Sequence, residues 1–171
     1  MGSLTMIQTL YRYGTWATGR IFEEAAHLTA AELTQVAPGG DASVRETLVH
    51  LVWGEDLWLA RMRDAPSPAH PDPGGFPDLA AVRSWWEEVD SAMVRFVNQL
   101  TFYDLDCYVS YVNSLDETWE YQIWQMLLHQ ANHATQHRSE LAMMLSAYGH
   151  SPGWLDLMIF IDLENEENDY S

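Results

Sequence analysis

Apolar positions recur at helical spacing in four long stretches of this chain, and the segments between them are rich in helix breakers. The first stretch predicts a helix from about Leu4 to His27, with Ile7, Leu10, Tyr11, Tyr13, Ala17, Ile21 and Phe22 as its apolar repeat. A short helical turn is expected from Thr29, after which "APGGDAS" (37–43) breaks the chain with a proline and two glycines. The second helix opens on a capping-box signature, Ser43 with Glu46 three residues on, and should end near Arg63. "DAPSPAHPDPGGFPD" (64–78) follows. Its five prolines and two glycines in fifteen residues make it a surface loop.

The third helix is expected from about Leu79 to Leu100. Beyond it, Tyr108, Val109, Tyr111 and Val112 suggest a short extended piece before a turn at Asn113-Ser114. The fourth helix should run from about Thr118 to Tyr148, with Gly149 as its stop. Its seam is Ile123, Leu127, Gln130, Ala134, His137, Leu141, Met144 and Tyr148, alternating steps of four and three as in a packed bundle helix. "SPGWLDLMIFI" should pack a last short segment onto the rest, and residues 162–171, with five acids in ten, read as a frayed acidic tail. The fold class is therefore all-α: one domain over residues 1–171, a four-helix bundle with a short irregular or extended insert before the last long helix.

Composition adds limits. Of 171 residues 47% are hydrophobic and 12% aromatic, which is enough for a real core. The eight tryptophans are expected mostly in that core, with some lining a cavity. Twenty-five acids against eight bases give a net charge of −17, which repels nucleic acid and anionic membranes. Cys107 is the only cysteine, so intrachain disulfides and thiolate metal cages are excluded, and it reads as a small core residue. There is no run long enough to span a bilayer and no signal-peptide pattern, so a cytoplasmic location is expected.

The chemistry concentrates in "LLHQANHATQHRSELAMML" (127–145), where His129, His133 and His137 recur every fourth residue. Helical neighbours at that spacing lie about 40° round and about 6 Å along from each other. Two such imidazoles can reach one ion. His129 and His137, about 12 Å apart along the axis, cannot do so together, so a single metal would use His129/His133 or His133/His137. His50, among Leu48, Leu51 and Val52, is the candidate third ligand. His27, His70 and His150 read as surface residues. The competing reading is a helical bundle with polar interior histidines and no metal. H-E-x-x-H, G-x-S-x-G and a P-loop are absent, and the two Glu-x-x-His motifs of a di-iron bundle are missing.

The segment "HQANHATQHRSELAMMLSAYGHSPGWLDLMIFI" resembles the signature of the DinB/YfiT-like superfamily of DinB-like metalloenzymes. The resemblance rests on Asn132-His133 followed by His137-Arg138, then Gly149 and Pro152, then Asp156. "RETLVHLVWGEDLWLARM" is similar to that family's second helix, and the likeness covers nearly the whole chain; Ser139 departs from the glycine many members have after the His-Arg pair. The resemblance implies a metal held by His50, His133 and His137, with His129 close by or at the helix edge. It implies a divalent ion, zinc first, with nickel or iron as alternatives, and a homodimer. Some relatives use such a metal to activate a low-molecular-weight thiol for transfer or isomerisation, and others look like hydrolases.

On this reading a small molecule is the substrate, and the metal carries the chemistry by activating water or a thiol. Glu46 and Glu140 are the candidate partners for the ligands' second ring nitrogens, and Arg61, Arg63 or Arg138 the candidates for binding an anionic cosubstrate. The alternative is a non-catalytic bundle that binds a metal or small ligand.

Overall fold

The computed structural model of the protein describes residues 2–37, 41–113 and 115–169. It is all-α apart from one small ribbon. Helix α1 (Gly2–Ala25) leads to the single turn α2 (Ala30–Thr34), then α3 (Val44–Met62), α4 (Leu79–Gln99), strands β1 (Tyr108–Val112) and β2 (Thr118–Gln122), α5 (Ile123–Ala147) and α6 (Leu157–Asp169). The four long helices pack around a shared interior: α3 lies against α4 and α5, and α1 lies against α4 and α5.

Local chemistry sets the helix ends. Ser43 and Glu46 form the expected capping box, with Glu46 accepting from the Ser43 N–H at 2.7 Å and Ser43 Oγ accepting from the Glu46 N–H at 3.2 Å. A second box, Thr29 with Glu32, starts α2. At the end of α5 the chain leaves the helix through Gly149 at φ 87°, a conformation only glycine takes without strain.

The interior has two apolar halves. In one, Ile21, Phe22, Leu48, Val52, Leu141 and Leu145 pack together, with the Phe22 ring stacked on Trp86 at 5.0 Å. In the other, Ile7, Leu59, Met93, Met126 and Leu127 meet, and the buried Tyr11 hydroxyl donates to the Leu127 carbonyl at 3.1 Å.

Four expectations change. The fourth long helix starts at Ile123 rather than Thr118, because Thr118–Gln122 pairs antiparallel with β1 from Tyr108↔Gln122 to Val112↔Thr118. Alternating Trp119 and Tyr121 suit a strand, and the aromatic ladder with Tyr111 outweighs the helical pattern (of the expected turn, Ser114 lies outside the described residues). The acidic tail is not frayed as far as it is described: α6 continues to Asp169, and Arg12 grips Glu164 through Nε–H···Oε1 at 2.6 Å. Cys107 is exposed, its thiol facing the Tyr103 carbonyl at 3.6 Å. Trp86 is buried, but Trp119, Trp124 and Trp154 are exposed and the other tryptophans straddle the boundary, as a large ring with a polar N–H often does.

Candidate metal centre

His50, His133 and His137 meet. The buried neighbours Val49 and Leu51 fix α3 in the interior and aim His50 at α5, where His133 and His137 stand one turn apart. Ring centroids are 5.3 Å apart for His50–His133, 4.7 Å for His50–His137 and 4.5 Å for His133–His137. One nitrogen from each lies within 4.8 Å of the others, a group that can hold a metal ion. His133 Nε2 and His137 Nε2 are 3.1 Å apart. Two nitrogens sharing a tetrahedral ion at about 2.05 Å each would stand about 3.3 Å apart, so the pair fits that group with little movement.

Tautomers and charge agree with this fit. His137 Nδ1 lies 2.7 Å from Glu140 Oε2, so its N–H donates to that carboxylate and the Nε2 lone pair is left facing His133. Burial alone would raise Glu140, but hydrogen bonds from Gln136 and His137 outweigh it and hold the carboxylate below its ordinary value. Burial, with the neighbouring His137 and His50, pushes His133 down to about 4, and burial with His137 and His70 lowers His50. Both imidazoles are thus neutral at pH 7, the form a metal needs. His133 Nδ1 is buried with no hydrogen-bond partner among the described residues. Of the two carboxylates expected beside the site, Glu46 is used up in capping α3 and only Glu140 serves a ligand.

Two further features had no clear sequence signal. Gly54 lies against His133: a Cβ there would sit 2.8 Å from His133 Cε1 and 3.2 Å from Nδ1. Glycine inside a helix costs about 1 kcal/mol relative to alanine, and here it makes room for the ring. His70, expected at the surface, is exposed but brings the Pro-rich loop to the site. Its ring is 5.8 Å from His50 and 4.6 Å from Trp53, and Trp53 Nε1–H anchors the loop by donating to the Pro68 carbonyl at 3.1 Å. His129 stays outside the triad, 6.3 Å from His133 and 4.6 Å from Trp58. His27 and His150 stack on each other.

Between the long helices a small cavity of about 20 Å³ collects Thr15 of α1, Glu55 of α3, Asp90 of α4 and Arg138 of α5. Arg138, considered above for an anionic cosubstrate, is only 5% exposed and belongs to this cluster. The Thr15 hydroxyl lies 2.8 Å from Asp90 Oδ1, and Arg138 Nη2 donates to Thr135 Oγ1 at 2.8 Å. Burial, then the nearby Asp90, pushes Glu55 up to about 8, partly offset by Arg138. Burial raises Asp90 to about 6 against the Thr15 hydrogen bond and Arg138.

The sign of the Glu55 effect is definite. Between its ordinary value of 4.5 and about 8 the unfolded chain releases a proton that the folded chain keeps, so stability falls as pH rises through that window. At about 1.4 kcal/mol per unit, the loss amounts to a few kcal/mol. Glu55→Gln should therefore raise Tm, and by more at pH 8 than at pH 5. Melting curves at the two pH values check this, and an equal shift at both would show Glu55 ionised in the fold at either.

The fold and site define a helical protein whose two facing helices bring three imidazoles together where one metal ion can be held. The chain belongs to the DinB family, whose model matches residues 1–169. It is also similar in fold to a conserved protein of Enterococcus faecalis known from a crystal structure. The TM-score is 0.65 at 13% identity, over 86% of this chain and 97% of that one. No curated protein matches the chain.

Proposed function

We propose that His50, His133 and His137 ligate one divalent metal ion and that the protein is a metal-dependent enzyme acting on a small molecule. The observation that carries this reading is the convergence of three ring nitrogens within 4.8 Å, with His137 already oriented by Glu140. Zinc is the first choice, with nickel and iron as the alternatives that imidazole donors also suit. When bound, a three-histidine metal supplies an open position that lowers the pKa of water or holds a low-molecular-weight thiol as thiolate. The chain's own part is to keep His50 and His133 neutral, to fix the His137 tautomer through Glu140, and to hold the rings in register through Gly54. Transfer of the thiol, or hydrolysis, is the reaction class.

The nearness of His70 favours one second reading, in which a fourth histidine closes the coordination sphere and the protein binds metal without catalysis. A homodimer is the proposed assembly. It is supported by a groove of about 940 Å³ lined by apolar residues including Met6, Leu10, Trp124, Leu128, Leu157 and Ile161, and sedimentation of the purified chain tests it.

Elemental mass spectrometry of untagged protein tests the metal. About one divalent ion per chain is expected, lost in His133→Ala while helicity is kept. A wild-type chain that takes up no metal from excess zinc would rule the reading out. Small thiols paired with electrophilic acceptors, assayed on the loaded protein, then separate transferase from hydrolase.

A further inference from the structure

Most buried polar side chains of this protein are accounted for by their neighbours. Ser43 Oγ lies 2.7 Å from Glu46 Oε2, the Thr47 hydroxyl donates to the Ser43 carbonyl at 3.0 Å, and Arg138 donates to Thr135. Three are different. The side chains of Thr18 on α1, Glu55 on α3 and Gln130 on α5 are 4%, 9% and 3% exposed, and none makes a hydrogen bond with any described residue. All three line the same cavity of about 20 Å³ between the long helices.

An unpaired hydroxyl, carboxyl or amide is costly in an interior, so native proteins pair such groups with protein atoms or with ordered water. Three of them lining one cavity point to one common partner. Size agrees: about 10–15 Å³ of space open to a water-sized probe holds one molecule, and this cavity offers about 20 Å³. Chemistry agrees as well. A water donates twice and accepts twice, and the lining supplies both kinds of group. The Asp90 carboxylate of α4, which accepts from Thr15 at 2.8 Å, has lone pairs to spare. Charge selects a neutral guest over an ion. At pH 7 Glu55 keeps its proton, and the charges of Asp90 and Arg138 offset each other.

We propose that this cavity is a built water site: one ordered water, bonded to Thr18, Glu55, Asp90 and Gln130, bridges all four long helices. The site lies on the inward side of the two helices that carry the triad. Gln130 stands one turn before His133, Arg138 follows His137, and Glu55 follows Gly54, against which the His133 ring rests. The water thus braces α3 against α5 where their spacing sets the distances among the three imidazoles. Arg138 also lines a surface pocket of about 330 Å³ with Tyr13, Ser139 and Asp156, so the water exchanges past the guanidinium. Occupancy is a property of the bundle and does not rest on the metal.

High-resolution diffraction from crystals of the full-length, chelator-treated protein tests the site. One fully occupied water is expected within about 2.5–3.2 Å of at least three of the four named groups. A cavity without that peak overturns the proposal, as does a direct bond between Glu55 and Gln130. Oxygen-17 relaxation dispersion reads the same site in solution, because it counts waters held for longer than the molecule takes to tumble. Thr18→Leu, whose longer side chain fills the cavity, should lower that count by one, and an unchanged count overturns the proposal. Should that variant lose helicity, the wild-type density decides by itself. Both measurements are made without zinc, so a chain that takes up no metal contradicts the metal reading alone.

Discussion

Arg138→Met is expected to be the most damaging single substitution in the molecule, lowering stability by about 3–5 kcal/mol near neutral pH. The arginine is 5% exposed and faces Glu55 and Asp90 across a cavity too small for more than about one water. Glu55, pushed up to about 8, keeps its proton at pH 7, but Asp90, at about 6, does not. Methionine fills much of the volume and removes the only cation among the residues lining that cavity, so the half-buried Asp90 is left charged with the Thr15 hydroxyl but no countercharge there. The same reasoning fixes the pH dependence. At pH 5 both carboxyls are protonated in the fold and need no countercharge, so the penalty should shrink to what is lost in packing and in the bond to Thr135. Denaturant unfolding at pH 7.5 and pH 5 measures both values. A loss under about 1 kcal/mol at pH 7.5, well below the range for a broken buried pair, would mean that Asp90 has found another partner.

Gly54→Ala should do the opposite: spare the fold and damage the site. Alanine is the better helix former by about 1 kcal/mol, and the obstacle it meets is a side-chain ring that can rotate away. The added Cβ would sit 2.8 Å from His133 Cε1, so the ring must leave its place beside His137. Changing a neighbour that positions a ligand typically costs about 10–100-fold in metal affinity. Competition for zinc against a chromophoric chelator, together with melting of the metal-free protein, reads both effects. Weaker zinc binding with an undiminished apo Tm is the expected pair. Unchanged zinc affinity would mean that His133 does not ligate.

The glycine also shows where reading the sequence stops. Periodicity revealed the four long helices and the capping box at Ser43 because these are local properties of the chain. It misplaced the start of α5 because a strand forms only when a partner strand is present, and "TWEYQ" pairs with a segment ten residues earlier. His133 and His137 were legible as a pair one turn apart. His50 was legible as a candidate third ligand in an apolar run, and the family resemblance was needed to choose His137 over His129 as the partner of His133. His70 went unrecognised because its proximity depends on how a proline-rich loop folds back over α3, and no spacing rule encodes that. Glu55 and Asp90 carry no local sequence signal that sets them apart from the other acids. Their placement follows from how four helices pack together around one small polar cavity.

The most direct test of the central claim is anomalous diffraction at the zinc edge from crystals grown with the metal. One peak is predicted per chain, bonded to His50, His133 and His137 at about 2.0–2.1 Å, with a non-protein atom in the remaining position. A peak elsewhere, none at all, or an ion that leaves any of these three histidines free would contradict the account.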